Sequence, residues 1–319
     1  MNAVVHRRYG PPTVLEMARV PRPTPNVDEV LVKVLASSIN AGDRFLMRGS
    51  PFPIRLMFGL FSPKLARPGA DVAGRVVRRG ANVVEFAVGD EVMADLSDDG
   101  FGAYAEYIAA PAARFVRKPA SVSSVDAGVS PVAALTALQA VRDHGRVAAG
   151  DRVLVYGASG GVGHFAVQLA KHMGAHVTAA TSKVNFAREL GADSVIDYRN
   201  EDFSRSGTTW DVIIGAGGSR PLRDYARALK PSGRFVHTGG SIGQLLRVSL
   251  CGRWHARQGK TLNTFLARVN REDLEHVASL LGEGILRPWV AQKFPLSTIV
   301  EAMTHYESGR VCGKIALTP

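Results

Sequence analysis

The chain has 319 residues, 46% hydrophobic and 21% charged, with a net charge of +11. That length exceeds one ordinary core, and the composition excludes a disordered chain. The positive charge attracts anions, but it is spread along the sequence with no block of about five like charges. The densest run, Arg247 to Lys260, is itself interrupted, so a solvated basic surface with an anionic ligand is favoured over nucleic-acid binding.

Residues 1–115 read as β-rich. Val30–Leu35, Gly74–Gly80 and Gly89–Ala94 are short strand-like runs bounded by turn residues, which suggests a folded-over sheet or partial barrel. From Asp126 to His144 the apolar residues take a helical rhythm. Strands and helices then alternate. Arg152–Tyr156, His176–Thr181, Ser194–Asp197, Val212–Ile214 and Gly233–His237 are predicted strands; Val162–Met173, Asn185–Leu190 and Arg220–Leu229 are predicted helices. Such alternation predicts a parallel sheet with helices on both faces. The tail adds helices at Glu272–Glu283 and Ser297–Ser308 and a last strand, Lys314–Leu317, expected to return to the first domain.

The strongest local signal is Gly157-Ala158-Ser159-Gly160-Gly161-Val162-Gly163, between a predicted strand and a predicted helix. A dinucleotide pyrophosphate needs a tight turn, close backbone approach and a helix N-terminus aimed at the anion. Gly160 and Gly161 allow that approach, and Gly163 allows the helix to pack on the strand. Ala158 stands where the usual pattern has its first glycine, so the match is imperfect. An ordinary strand–helix turn is the alternative, and the surrounding βαβ units favour the cofactor.

NAD-binding folds usually place an Asp or Glu on the ribose 2′-hydroxyl about 20 residues beyond the glycines. No acidic residue occurs from Ala158 to Arg188, and the second strand ends in Thr181-Ser182-Lys183. A hydroxyl and an ammonium there suit a 2′-phosphate, which points to NADPH. A plain surface lysine is the other reading of Lys183.

Several segments together resemble the zinc-independent quinone oxidoreductase-like branch of the medium-chain dehydrogenase/reductase superfamily. They are Ser38–Asp43, Pro68–Gly74, Val88–Val92, Gly102–Tyr107, Ala133–Ala137, the glycine loop, Leu190–Tyr198 and Gly313-Lys314. The resemblance implies an α/β fold: a Rossmann-type doubly wound parallel sheet at 118–261, and a β-rich GroES-like catalytic domain built from 1–117 and 262–319. It implies a substrate cleft between the domains and a homodimer. It places Lys183 and Tyr198 at the 2′-phosphate and Thr136 near the nicotinamide. Gly215, Ala216 and Gly217, with Thr238, Gly239 and Gly240, fall at strand ends lining the cofactor.

Zinc-dependent members of the superfamily carry a Cys near Asn40 and a His-Glu pair after Gly69. Here those positions read Asn40–Asp43 and Ala70-Asp71, and the structural-zinc cysteine cluster is missing, so no metal is expected. His172 and His176 are four apart, but Gly174 separates them. Without a Lewis acid, a quinone or an α,β-unsaturated carbonyl is the favoured hydride acceptor, because its charge delocalises. An alcohol or aldehyde reductase, a nucleic-acid-binding role and a reductase module for a polyketide-type partner are the competing readings.

Asn40 is the first choice for a polar group toward the substrate oxygen. Asp43 is a second site residue with an equally good structural reading as an Asx turn. Phe45 stands where many relatives carry Tyr and cannot donate a proton, which suggests water as the proton source. Tyr104 is a weaker alternative donor, with packing as its other role. The apolar segment Pro51–Pro63 reads equally as a substrate cover or a dimer contact. The two cysteines, Cys251 and Cys312, form no CxxC pair, and Met1 to Arg7 lack an apolar signal core. No stretch of about 18 apolar residues is present, so a cytoplasmic protein without a membrane span is expected.

Overall fold

The computed structural model describes residues 1–65, 67–239 and 242–319. The chain folds as two compact units, one made of Met1–Val132 with Val269–Pro319 and the other of Ala133–Arg268. The first unit begins with β1 (Asn2–Val5), β2 (Glu16–Arg19) and β3 (Glu29–Ser38). It continues through α1 (Ala41–Arg48), α2 (Pro53–Phe58), β4 (Asp71–Arg79), β5 (Glu91–Asp95), β6 (Tyr107–Pro111), β7 (Val116–Arg117) and α3 (Ser124–Val129). The second unit holds most of α4 (Pro131–Gln139), then β8 (Arg152–Tyr156), α5 (Gly163–His172), β9 (His176–Ala180), α6 (Val184–Glu189) and β10 (Ser194–Ile196). It ends with β11 (Trp210–Gly215), α7 (Leu222–Ala228), β12 (Leu229–His237), α8 (Ile242–His255) and β13 (Thr261–Thr264). The chain then returns to the first unit with α9 (Arg271–Gly282), β14 (Val290–Pro295), α10 (Ile299–Glu307) and β15 (Lys314–Thr318).

In the first unit β3 is apolar almost continuously and is buried on both faces. It pairs antiparallel with β4, β6 and β15 at the centre of the order β14-β15-β3-β4-β5-β7. Pairing with β15 is what recruits the C-terminus. One apolar cluster lies inside the curled sheet (Val32, Val72, Val92, Phe115), and a second joins Val4, Ile39, Met47 and Tyr104 to Ile299, Ile315 and Leu317.

In the second unit every strand runs parallel, in the order β10-β9-β8-β11-β12-β13. The strand order reverses between β8 and β11, and ligands of open α/β sheets bind at such a switch, outside the strands' carboxyl ends. The α/β class and both sheets therefore match the sequence reading.

The expected boundaries need correction. The first, at 117/118, moves to 132/133 because α3 packs on β3 and β4 so closely that a Cβ on Gly128 would lie 2.7 Å from the Ala36 side chain. The second, at 261/262, moves to 268/269 because β13 completes the parallel sheet beside β12. The helix expected over Asp126–His144 is three pieces. Ser123 caps α3, Pro131 lacks the N–H to continue it, and a π-helical turn covers Ala140–His144. The sequence reading left β1, β2, α1, α2, β6, β7, α8, β13 and β14 unassigned.

Candidate active site and cofactor site

In the second unit, the expected cofactor residues lie at the carboxyl ends of five strands, β8 to β12. Gly157 leaves β8 with φ +85°, and its Cβ would lie 2.9 Å from the Gly217 nitrogen beyond β11. Only glycine permits that combination of left-handed backbone and backbone contact. Ala158 is buried, and the Gly157 and Ala158 amides donate to the Ala180 carbonyl at 3.0 and 3.3 Å. A Cβ on Gly163 would sit 2.1 Å from the Gly157 carbonyl, so the loop folds tightly onto the first turn of α5. At Gly160 a Cβ would meet only that carbonyl, at 3.3 Å, and Ser159, Gly160, Gly161 and Val162 are half-buried. No side chain caps α5 at Val162. An open glycine backbone leading into an uncapped helix N-terminus is a phosphate cradle, so the residues present fit a dinucleotide.

The ribose edge lies at the ends of β9 and β10. Thr181 is fully buried; its hydroxyl donates to Ser159 Oγ at 2.8 Å and accepts the Lys183 amide at 3.1 Å. It therefore braces the loop. Tyr198 donates to Ser182 Oγ at 3.3 Å, and Lys183 is exposed beside them. One carboxylate, Asp197, does stand at the end of β10. Arg199 binds it at 2.6 and 2.9 Å, and this pairing holds its pKa below the usual carboxylate range.

Gly215 ends β11 and Ala216 and Gly217 follow it, and the Thr238 amide donates to the Gly215 carbonyl at 3.0 Å. Gly239 fits under the Ala216 carbonyl, 2.8 Å from where its Cβ would be. Gly240 lies outside the described residues. Thr136 is buried on α4. His237, missed by the sequence reading, is buried beside Gly215 and Phe235; burial pushes its imidazole down to about 4 and keeps it neutral at pH 7.

The first unit holds a buried polar network around Asn40, the N-cap of α1. Asp71 Oδ2 accepts from Asn40 Nδ2 at 2.9 Å and from the Ser38 hydroxyl; Lys314 Nζ donates to Asn40 Oδ1 and lies 3.3 Å from the same Asp71 oxygen. Asp71 Oδ1 accepts the Val132 amide at 2.7 Å. The side chains of Asp71 and Lys314 are 0% and 3% exposed, so this is an ion pair out of water. Because an ammonium only donates and a carboxylate only accepts, the two fix which way the Asn40 amide points. The second amide proton has only a marginal contact, 3.5 Å to Ser38 Oγ.

The other expected site residues make their contacts within the first unit. Asp43 accepts the Asn40 amide at 2.8 Å, closing a capping box, and the Gly69 amide at 3.1 Å. It is buried, and desolvation raises its pKa to about 6 against the lowering effect of the Asn40 amide and the Tyr104 hydroxyl. Tyr104 is buried in the core, its ring under Gly69 (φ +99°), and its hydroxyl donates to the Ser38 carbonyl at 3.1 Å. Burial pushes that phenol well above its usual range. Phe45 is half-buried under the Arg44 guanidinium. The Pro51–Pro63 segment leaves Phe52, Leu56, Met57 and Phe61 exposed. Sequence reasoning quoted Ser38, Asp71 and Lys314 within its diagnostic segments but gave them no role. Among the described residues, no group of three or more His, Cys, Asp or Glu is placed to hold a metal ion.

Comparison with known proteins agrees with this geometry. The chain is 33% identical to the Chloroplast envelope quinone oxidoreductase homolog of Arabidopsis thaliana, over 100% of this chain and 98% of that protein. The chain belongs to the quinone oxidoreductase-like branch of the medium-chain dehydrogenase/reductase superfamily. Residues 26–120 match the family described as Alcohol dehydrogenase GroES-like domain, and residues 190–317 the family described as Zinc-binding dehydrogenase. The NADPH-dependent alkenal/one oxidoreductase of Arabidopsis thaliana, a chloroplastic protein, is 31% identical over 100% of this chain and 80% of its own length. The structure of the quinone oxidoreductase from Coxiella burnetii superposes with a TM-score of 0.90 at 31% identity, covering 100% of this chain and 99% of that one. This medium-chain dehydrogenase/reductase chain is thus an oxidoreductase, and no helix among its described residues is long and apolar enough to cross a membrane.

Proposed function

We propose that this protein is an NADPH-dependent reductase of quinones or α,β-unsaturated carbonyls that works without a metal ion. The observation that supports it is the turn after β9: Tyr198 bonds Ser182 next to Lys183, Thr181 ties this turn to Ser159 of the glycine loop, and Arg199 pairs with the nearby Asp197. The NADPH dependence named for the Arabidopsis alkenal/one oxidoreductase supports the same choice.

The backbone from Gly157 to Gly163 holds the pyrophosphate, with Thr181 keeping Ser159 and the loop in place. Lys183 pairs with the 2′-phosphate while Ser182 and Tyr198 donate to it. Thr136, Gly215–Gly217 and 238–240 line the remainder. When bound, the reduced nicotinamide supplies a hydride. Asn40, oriented by Asp71 and Lys314, offers its loosely held amide proton to the substrate oxygen. With Asp43 and Tyr104 tied internally and Phe45 without a proton, water completes the reduction. A conjugated acceptor needs no stronger electrophile, because its charge spreads over the π system.

A homodimer in the cytoplasm belongs to this reading on family resemblance, with only two cysteines in the sequence, Cys251 and Cys312, suiting a reducing compartment. NADPH oxidation after exhaustive chelation tests the proposal. Turnover of 1,4-quinones and enones above saturated aldehydes and alcohols supports it. Preference for simple alcohols, or activity restored only by zinc, refutes it.

A further inference from the structure

A cavity of about 440 Å³ opens beside the β1–β2 hairpin of the first unit. Val5, Val20 and the prolines flanking Arg22 supply an apolar wall, and Arg7, Arg22 and Arg67 supply three guanidinium groups. No acidic residue lines it, and none of its residues belongs to the cofactor or substrate assignments. Its volume falls within the range of small-ligand sites, roughly 300–1,000 Å³.

The arginines of the cavity differ from those around them. Among the described residues, half-buried Arg67 has no hydrogen bond or ion pair. The other half-buried arginines of this unit each have an acceptor: Arg48 binds Glu307, Arg55 the Gly49 carbonyl, Arg114 Asp99, and Arg271 Glu85. Taking a guanidinium partly out of water without an acceptor is unfavourable, so Arg67 has a place for an anion. Arg22 lies over the Tyr107 ring, 3.8 Å from its centroid, and forms no ion pair among the described residues. Stacking fixes the plane of its guanidinium and leaves the N–H fork free to bind. Arg7 has only Glu16, at 3.7 Å, with both side chains more than half exposed, a pairing worth little in water.

We propose that this cavity binds a small phosphate monoester whose organic part is apolar. A carboxylate has two oxygens and fits one guanidinium fork. A phosphate monoester has three acceptor oxygens and up to two charges, enough to engage Arg7, Arg22 and Arg67 together. Val5, Val20 and the two prolines take the organic part out of water. Inorganic phosphate would satisfy the arginines and leave that wall wet. All the lining residues belong to the first unit, whereas the phosphate cradle of the glycine loop belongs to the second. The assignment is thus independent of the cofactor and substrate readings.

Calorimetric titration of the NADPH-loaded protein with phenyl phosphate tests the proposal, because the cofactor then fills its own phosphate cradle. Phenyl phosphate should saturate one site per chain and bind more tightly than inorganic phosphate, which lacks the apolar part, and than benzoate, which lacks the phosphate. Arg22→Ala/Arg67→Ala should weaken phenyl phosphate at least about tenfold, the least that one charge-assisted contact is worth, and leave NADPH affinity unchanged. Arg67→Lys keeps the charge without the fork; it should weaken binding by a smaller factor and carries the test if the double variant does not fold. Four results overturn the proposal: no saturable binding of phenyl phosphate; binding no tighter than that of inorganic phosphate; the same affinity in parent and variants; or release of NADPH as phenyl phosphate binds.

Discussion

At the residue scale, each site side chain is defined by what its neighbours leave it free to do. Asp43 and Tyr104 have the right chemistry for proton transfer, but backbone groups hold them inside the core. Asn40 is buried, and its amide is aimed by Asp71 and Lys314. Lys314→Met leaves the Asp71 carboxylate buried without its cation, which should cost about 3–5 kcal/mol of stability in urea unfolding. Adding Asp71→Asn should recover part of that loss, because the uncompensated charge is gone. Equal destabilisation by the single and double variants would show that the two side chains do not act as a pair. At the ribose edge, Ser182→Asp should shift preference toward NADH by placing a carboxylate against the 2′-phosphate. Unchanged kcat/KM for both cofactors would remove Ser182 from the site.

At the element scale, the loop between β8 and α5 and the strand pair β4–β5 make separate predictions. Gly163→Ala puts a methyl 2.1 Å from the Gly157 carbonyl and must push the loop from α5. It should cost about 1–3 kcal/mol in stability and weaken NADPH and NADH alike, since both share the pyrophosphate. A loss confined to NADPH would argue against this role. On β4–β5, Asp95 lies opposite Asp71; burial, then the Asp71 charge, raises its pKa to about 7. A carboxyl whose folded pKa is raised burdens the fold above that pKa, and the burden lifts as pH falls toward the unfolded value. Asp95→Asn should thus stabilise the protein by roughly 2 kcal/mol at pH 8, with the gain fading between pH 7 and pH 4. A pH-independent effect would mean the buried carboxyl is not charged at pH 8. The alternating elements and the glycine loop were legible because their patterns are local: Arg152–Tyr156 is the β8 strand residue for residue. β13, α1 and β14 were not, since short polar runs such as Thr261–Thr264 become strands only when an existing edge pairs with them.

At the scale of the whole molecule, the architecture joins residues far apart in sequence, which is where sequence reading stops. Lys314 and Asn40 are 274 residues apart, and no local pattern links them. The ribose edge was readable from Thr181-Ser182-Lys183, but Asp197 with its neutralising Arg199 required β10 to pair with β9. The two-unit plan was legible from the change of period, and its exact seams were set by packing of α3 and pairing of β13. Lys183 is the residue through which this oxidoreductase is proposed to choose NADPH. Binding of NADPH and NADH by the parent and by Lys183→Ala tests it most directly. A charge-assisted contact is worth about 1.5–3 kcal/mol, or roughly tenfold to a hundredfold. The parent should prefer NADPH, and Lys183→Ala should lose about that factor for NADPH while NADH binding stays unchanged; equal weakening of both cofactors, or of neither, would contradict the assignment.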